Sequence, residues 1–349
     1  MLFRPTVIQL VGVDGATYTL TDADPEEAAI LLRKGAKGLD APEFDVKDDE
    51  YVAIDGGYVR SSRATMREIF LPITITARDR HEMMALKRRL IASCNPNRGL
   101  VELRSTEFSV PAGFVGEPTA ADLVAEPTRS IRGYYAGGLE GGEGSENGIT
   151  HNTYGLLLRC TDPYFSELAR RKQTFLIVET LVPFHNPEVS FLSPDGASPG
   201  GFRLSSDPVL NFSADLVNVG DKDAAPRWEI QGPATARFSL VAKDASGTVV
   251  RELRMESAVA LTKDEVLLIE TARGRQDLRK RSLVDSSVDV SMWWAYDTSS
   301  PLWLLEPGVT SVEIVLDKPA GMSPEAELLW ALANRPLVSV SFLTSFLGV

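Results

Sequence analysis

Most of this 349-residue chain alternates apolar and polar residues with a period of two, which is typical of strands that bury one face. The clearest example lies in residues 211–233, where Phe212, Ala214 and Leu216 alternate with polar residues. After an acidic turn the chain extends again around Trp228, whose side chain can bury about 150–250 Å². We therefore predict a structural hairpin of two strands, around which the rest of the chain is arranged.

The N-terminal residues predict another hairpin and then a short helix. An Asp14-Gly15 turn divides the alternating pattern of residues 6–20, which is a strong hairpin signal. The sequence DPEE at residues 24–27 offers a cap, a proline and two acids, and it predicts a helix over residues 28–33. Because so short a helix is marginal alone, a loop insertion is the alternative.

A longer helix is predicted over residues 79–93, with Asp79 as N-cap and Glu82 completing a capping box. Lys87 to Arg89 lie largely on its polar side, which indicates a solvated face or, alternatively, a contact between subunits. The apolar stripe that should face a core comprises Met83, Met84, Leu86, Leu90 and Ile91.

Strands are predicted on both sides of this helix. The run MREIFLPITIT at residues 66–76 is strongly β-forming, and Pro72 inside it predicts an edge strand or a bulge. Residues 105–128 predict a connecting excursion or a protruding hairpin, and residues 137–148 a flexible acidic loop. Further strands are predicted within residues 39–77, 100–103, 128–135 and 154–160.

The pattern divides the chain into two β-rich domains. We place an N-terminal domain at residues 1–170, a connecting segment with its own strand and several proline turns at 171–205, and a C-terminal domain at 206–349. Short strands about 8–12 residues apart, with turn signals between them, favour a β-sandwich or jelly roll for the last domain.

Two features near the C-terminus depend on where the strands fall. Residues 288–295 and 326–331 are predicted as strands that carry tryptophans. The closing segment, PLVSVSFLTSFLGV at residues 336–349, is conspicuously apolar, and an exposed apolar tail invites aggregation. We expect this tail to return to a core or to dock on a neighbouring molecule.

Composition matches an ordinary globular protein, with 44% hydrophobic and 24% charged residues. The net charge of −12 argues against a surface that grips nucleic acid through its phosphates, which needs basic patches. No segment approaches the ~18 apolar residues of a membrane span, and the N-terminus lacks a signal-peptide pattern. We expect a cytosol-like compartment, unless the protein leaves by lysis or within a particle.

Motifs for catalysis or metal binding are incomplete. His81-Glu82 begins like an HExxH zinc motif, but Ala85 stands where the second histidine belongs. Cys94 and Cys160 lack metal-ligand spacing and are predicted to be buried thiols. Carboxylate pairs for glycoside hydrolysis stay open, since such pairs meet only in the fold. We predict no catalytic, cofactor-binding or metal-ligating residues, no cofactor and no enzyme activity.

The tryptophans of the C-terminal half offer one binding hypothesis. They could form a platform for stacking sugars, although tryptophans on the strands of a sandwich are more often core residues. Adjacent residues face opposite sides of a strand, so one of Trp293 and Trp294 is the best candidate for an outward-facing aromatic. The full set is Trp228, Trp293, Trp294, Trp303 and Trp330.

Several short motifs occur in a characteristic order. In the first half they are the R-x-I-x-L-P-I-x-I run at residues 67–75 with the helix after it, Arg132-Gly133-Tyr134-Tyr135, Gly137-Gly138-Leu139 and Asp162-Pro163-Tyr164. In the second half they are Asn218-Val219-Gly220-Asp221, Pro226-Arg227-Trp228-Glu229-Ile230, Gly232-Pro233 and Pro307-Gly308. Their order and spacing, over about residues 5–335, resemble the distal tail protein family of long-tailed, non-contractile bacteriophages.

This resemblance implies a mainly β protein with an N-terminal β-sandwich carrying one or two helices and a C-terminal galectin-like or jelly-roll β-sandwich. It implies a structural hub that forms a homo-oligomeric ring, as a hexamer, between the tail tube protein and the tail-tip and adhesion proteins. DNA would pass through the lumen without specific binding. The protein would reside in the virion and, during assembly, in the host cytoplasm. The alternative function is a carbohydrate-binding adhesin that recognises host cell-wall glycan.

Overall fold

The computed structural model describes residues 6–21, 28–51, 55–110, 123–140, 150–175, 211–244, 246–285, 289–317, 321–323, 326, 329–330 and 333–349. The chain divides into two compact units. Unit 1 comprises Met1–Arg170 and Leu343–Val349, and unit 2 comprises Arg171–Phe342. In chain order, unit 2 is therefore inserted before the last seven residues of unit 1.

Unit 1 contains a helix, α1 (Arg80–Ser93), and a set of antiparallel strands. The strands are β1 (Thr6–Val11), β2 (Thr17–Thr19), β3 (Ala29–Leu32), β4 (Phe44–Glu50), β5 (Gly57–Ala64), β6 (Arg67–Thr76), β7 (Val101–Ser109), β8 (Val124–Ala125), β9 (Arg129–Gly137), β10 (His151–Cys160), β11 (Phe165–Glu167) and, after unit 2, β23 (Ser345–Phe346).

Ten of these strands form one sheet that nearly closes on itself. The main path runs in the order β2-β1-β7-β9-β10-β6-β3, with β8, β11 and β23 paired beside it. The ends of the path meet, because the Leu32 amide in β3 donates to the Leu20 carbonyl directly after β2, at 2.8 Å. Alternate side chains, among them Leu10, Leu71 and Leu156, fill the interior.

Helix α1 begins and packs as the sequence predicts. The Glu82 amide donates to the Asp79 carboxylate at 2.8 Å, and the Glu82 carboxylate accepts from the Arg78 amide at 3.1 Å. The first bond satisfies a backbone donor that a helix start leaves free, and the second differs from the predicted capping box because its donor, Arg78, lies one residue before the N-cap. Of the predicted stripe, Met83 and Leu90 are buried, Met84 and Leu86 are partly buried, and Ile91 is exposed.

The helix predicted over residues 28–33 is wrong. Ala29–Leu32 is strand β3, which pairs antiparallel with β6 and buries Ile30. Pairing a contiguous apolar run to an existing sheet edge satisfies its backbone and its side chains together, which outweighs the weak helix tendency of so short a segment. The DPEE residues that suggested the helix start lie outside the described part of the chain.

Pro72 is neither on an edge strand nor at a bulge. Strand β6 pairs with β10 in unbroken register, with Gly155 opposite Pro72. On the other side of β6, the β3 ladder ends at Ile73 and a separate bridge joins Phe70 to Lys37. Pro72 falls between these two pairings, where its missing N–H costs no ladder hydrogen bond.

Two paired strands flank the region around residues 105–128, which was predicted to be an excursion or a protruding hairpin. Strand β7 extends to Ser109, and β8 pairs with its end through Phe108 and Ala125. This pairing supports the hairpin alternative. Residues 111–122 and most of the predicted acidic loop, residues 141–149, lie outside the described residues.

Unit 2 contains the remaining strands and a 3-10 helix at Trp293–Ala295. The strands are β12 (Arg171–Phe175), β13 (Asn211–Asn218), β14 (Arg227–Gln231), β15 (Ala234–Lys243), β16 (Val249–Arg254), β17 (Val259–Leu261), β18 (Glu265–Glu270), β19 (Asp277–Ser282), β20 (Asp289–Ser291), β21 (Gly308–Asp317) and β22 (Leu337–Phe342). Most of the predicted connecting segment, residues 176–210, lies outside the described residues.

These strands form a β-sandwich. One sheet has the order β12-β22-β14-β18-β19-β20, and the other β13-β21-β15-β16 with β17 beside β15. Trp228 and Val340 from the first sheet share a core with Phe238 and Ile314 from the second. The predicted fold class, mainly β with a sandwich in the C-terminal half, is confirmed.

The hairpin predicted at residues 211–233 is wrong in its pairing. Strand β13 pairs with β21, whereas β14 pairs with β18 and β22 in the opposite sheet. The acidic turn therefore carries the chain across the sandwich instead of folding it back within one sheet. Leu216 and Trp228 are both buried in the same core, so alternation gave the buried face of each strand but not its partner.

The strand predicted over residues 288–295 is shorter than expected, and the one predicted over residues 326–331 is wrong. Trp293 and Trp294 lie in the 3-10 helix, after β20 has ended at Ser291. The described residues between 326 and 333, including Trp330, are helical, and the Trp330 carbonyl accepts from the Asn334 amide at 3.0 Å. Short apolar runs do not distinguish strand from helix by periodicity alone.

The apolar C-terminal tail returns to both cores. Strand β22 buries Val338 and Val340 in unit 2. Strand β23 then pairs with β11 in unit 1, with Phe346 opposite Phe165, and both rings are buried. Among the described residues, no helix has the length and apolarity to cross a membrane.

Candidate assembly surfaces and functional groups

The motif residue Arg67 holds the C-terminal tail in unit 1. Its guanidinium is buried, donates to the Gly38 carbonyl at 3.2 Å and to the Leu347 carbonyl, and lies 5.0 Å from the centre of the Phe165 ring. Burial lowers the pKa of Arg67 from its usual high value. A charged group is thus placed at a buried position, where the Leu347 carbonyl of the tail is one of its hydrogen-bond partners.

A second arginine holds the last residues of the same tail. Arg129, at the start of β9, donates to the Gly348 carbonyl at 3.3 Å, and its guanidinium lies 4.0 Å from the centre of the Phe346 ring. Cation–π contacts of this kind contribute about 0.5–2 kcal/mol. The tail, which the family motifs did not cover, is therefore integral to unit 1.

The Arg-Gly-Tyr-Tyr motif in β9 has a structural role. Arg132 and Arg104 both donate to the buried Glu102 carboxylate, at 3.0 and 2.7 Å. A β-carbon at Gly133 would lie 2.7 Å from the Cys160 sulfur, so β9 needs glycine where β10 approaches closely. These motif positions organise the sheet.

A buried hydrogen-bond network fastens the β1–β2 turn to the end of α1. The buried Ser93 hydroxyl donates to the Asp14 carboxylate at 2.8 Å and lies 2.9 Å from the Tyr18 hydroxyl. The bond from Ser93 is the main cause that lowers the pKa of Asp14. The Val13 amide also donates to the Ser93 carbonyl, at 2.9 Å.

Asn218 shapes the turn that crosses the unit 2 sandwich. Its buried side-chain amide donates to the carbonyls of Lys222 and Leu305, at 2.9 and 3.0 Å, and its oxygen accepts from the Gly220 amide at 3.1 Å. The motif Asn-Val-Gly-Asp is thus explained by a side chain that replaces backbone partners in a buried turn.

Strands β4 and β5 form a two-stranded sheet apart from the main one. Nearly all its residues are exposed, and two ion pairs cross it, from Arg63 to Asp45 at 3.1 Å and from Arg60 to Asp49 at 3.9 Å. It also exposes an unusual number of large apolar side chains, namely Phe44, Val46, Tyr51, Tyr58 and Val59. We call the described residues of this segment, 44–51 and 55–64, the exposed hairpin.

The outer face of α1 is basic. Arg80, Arg88 and Arg89 are exposed, and none of the ion pairs between described residues involves them. Lys87 instead lies 5.2 Å from the centre of the Tyr154 ring. Ile91 adds an exposed apolar side chain to this face.

Within the described part of the chain, the histidine, cysteine and glutamate side chains of the incomplete motifs lie apart. Glu82 caps α1, beside the exposed His81, and His151 is exposed at the start of β10. Burial raises the pKa of the Cys94 thiol to about 12 and that of Cys160 to about 11, which leaves both thiols protonated. Within the described ranges, no three His, Cys, Asp or Glu side chains are grouped so that they could hold a metal ion.

A shallow groove of about 290 Å³ crosses the outer face of the six-stranded sheet in unit 2. Its one lining carboxylate, Glu229, is already paired with Arg227 at 3.4 Å and lies 3.9 Å from the Lys172 ammonium. The described groove thus holds no converging acids or histidines.

The tryptophans separate into core and surface residues. Trp228 and Trp303 are buried in edge-to-face contact, and Trp330 packs partly against the same core. Trp293 and Trp294 are 38% and 64% exposed. Both adjacent rings reach solvent because a 3-10 helix, unlike a strand, does not direct neighbours to opposite faces.

No protein-family model and no curated protein sequence matches the chain. Among solved structures, the Dit protein (gp 19.1) of SPP1, a hub of the adsorption apparatus in phages that infect Gram-positive bacteria, matches with a TM-score of 0.56 and 14% identity. The match covers 97% of this chain and 99% of that one. This chain has the fold of SPP1 Dit.

Two structures of the phage P2 baseplate in its activated conformation, with Ca and with Sr, also match. Their TM-scores are 0.44 and 0.43 at 10% identity, with 99% and 90% of this chain covered and 98% of each of theirs. We rest the fold assignment on the Dit structure, and at the level of the fold the resemblance given by the sequence motifs is confirmed.

Proposed function

We propose that this chain is a structural hub protein of a phage tail tip, which joins the tail tube to the tip and adhesion proteins. The observation that carries the proposal is the match to SPP1 Dit from end to end of both chains, 97% and 99%. A match to a single β-sandwich would be weak evidence for function, because proteins with that fold have many functions. A match over both units of the chain is stronger evidence for a shared function.

The assembled form in this proposal is a closed ring of six copies, with DNA passing through its lumen. The exposed hairpin supports an assembly, since a monomer rarely leaves so many large apolar side chains in water. The net charge of −12 supports a lumen that repels the DNA backbone and lets it pass. The ring belongs in the virion, and it would be built in the host cytoplasm.

Sedimentation velocity and negative-stain electron microscopy of the purified chain test this proposal, together with immunogold labelling of virions. A closed ring in solution and label at the tail tip are expected. A monomer at every concentration, with no label on the tail, would remove the proposal.

A second function, glycan binding by unit 2, is favoured by the exposure of Trp293 and Trp294. Exposed indole rings can stack on sugar faces. A glycan array with wild type, Trp293→Ala and Trp294→Ala tests it, with Tyr58→Ala in unit 1 as the matched loss of an exposed ring. The hub proposal expects no specific glycan, whereas binding that only the tryptophan variants lose would establish an adhesin.

A further inference from the structure

The exposed hairpin has too few contacts within one copy to be stable there by itself. Among the strands of the described residues it pairs only with itself, and both of its faces reach solvent. An isolated two-stranded hairpin is at best marginally stable in water, and three strands or a packed face are needed for more. Phe44 and Val46, on one face of β4, therefore indicate that another surface covers the hairpin.

The charges of the hairpin show which kind of surface fits. Asp45 and Asp49 are paired with arginines of β5, but Asp48, Glu50 and Asp55, toward the turn, are exposed and have no ion pair among the described residues. The end of the hairpin is thus acidic. It requires a basic partner surface with some apolar area.

The outer face of α1 has these properties. It presents Arg88 beside the exposed Ile91, with Arg80 at the start of the helix and Arg89 farther around it. Within one copy the hairpin and this helix face are both exposed, so neither covers the other. Complementary surfaces on different parts of one molecule make head-to-tail contacts, which close into a ring when the rotation permits.

We propose that the exposed hairpin of one copy docks on the outer face of α1 in a neighbouring copy. Asp48 and Glu50 approach Arg88 and Arg89, and the apolar side chains of β4 cover Ile91. Copies that each carry a charge of −12 repel one another, so local complementarity of this kind sets where they meet. This inference rests on the proposed ring and names its contact.

Charge reversal in the full chain tests the contact. The variants are Asp48→Lys with Glu50→Lys, Arg88→Glu with Arg89→Glu, and all four together. Sedimentation velocity over a concentration series measures assembly, and circular dichroism verifies that each variant is folded. The matched control, Arg273→Glu with Arg275→Glu, reverses two exposed arginines in a unit 2 turn.

Each double reversal is expected to raise the concentration needed for assembly by about 10–100-fold, and the four-fold variant is expected to recover most of this loss. The control should assemble like wild type. If wild type assembles and the hairpin and helix variants behave like the control, the contact is refuted and the ring stands. If wild type never assembles, the proposed ring itself fails.

Discussion

Unit 1 contains two short β segments whose large apolar side chains differ in burial. The tail strand β23 buries Phe346 against Arg129 and pairs with β11. The exposed hairpin leaves Phe44 and Val46 in solvent, and no other strand in the described part of the chain pairs with it. The apolar tail is thus buried within one copy, whereas the charged strands of the hairpin leave their few large apolar side chains exposed.

This difference narrows where copies can meet. The long sheet of unit 1 does not offer its ends, because Leu32 and Leu20 join them within one molecule. A ring built by adding strands to those ends is not what the fold favours. The exposed hairpin is an alternative place for such a contact.

Truncation of the Phe346 side chain, in the C-terminal tail, is expected to lower the stability of unit 1 the most. Phe346→Ala should lower the free energy of unfolding of unit 1 by about 3–5 kcal/mol, because it leaves a cavity in a packed core. Phe44→Ala, the matched truncation in the hairpin, should change it by less than about 0.5 kcal/mol. Urea unfolding at a concentration below assembly measures both, and equal costs would refute the contrast.

Loss of the buried arginine ranks next. Arg67→Ala should destabilise unit 1 by about 2–3 kcal/mol, since it removes charged hydrogen bonds to Gly38 and Leu347. Arg63→Ala, which removes an exposed ion pair of the hairpin, should cost less than about 1 kcal/mol. Limited proteolysis adds a second readout: faster cleavage after residue 340 is expected only for Arg67→Ala.

The β1–β2 hairpin gives a third comparison, because hydrogen bonds to Ser93 hold it against the end of α1. Ser93→Ala should cost about 1–2 kcal/mol at pH 7, because it removes the hydroxyl between Asp14 and Tyr18. The pKa of Asp14 is lowered in the folded state, so its contribution is full above the unfolded pKa and is lost as the pH falls through the folded pKa.

The cost of Ser93→Ala is accordingly expected to shrink in acid, below the ordinary Asp pKa of 3.8. Unfolding curves of wild type and variant from pH 7 to pH 2.5 measure this. A cost independent of pH would show that the Ser93–Asp14 bond does not carry the effect.

The smallest effect on the monomer is expected from Val46→Ser. Its side chain is half exposed, so the free energy of unfolding should change by less than about 0.5 kcal/mol at low concentration. At concentrations where wild type assembles, the same variant should melt at a lower temperature than wild type, because it assembles less. Calorimetry at a low and a high protein concentration measures the melting temperature of both proteins in the monomeric and the assembled state.

Local signals in the sequence were sufficient where one residue acts on its neighbours. The capping of α1 by Asp79 and Glu82 and the burial of Trp228 follow from chemistry within a few positions. Strand partners do not, because they depend on distant segments, and β13 and β14 accordingly lie in different sheets although they are neighbours in the sequence.

The open surface was less visible in the sequence. Alternation in Phe44 and Val46 predicts a strand but not that its apolar face stays in solvent, since burial depends on what other segments cover. Lys87 to Arg89 did suggest a subunit contact. In the structure Lys87 lies against the Tyr154 ring, and Arg88 and Arg89 remain exposed on the basic face.

The most direct test is hydrogen–deuterium exchange of residues 44–64 and 343–349 as a function of protein concentration. In dilute solution the hairpin amides should exchange quickly and the tail amides slowly. At concentrations where the ring forms, the hairpin should become protected together with residues 80–91, while the tail is unchanged. Hairpin exchange that stays fast in the assembled protein would contradict the account.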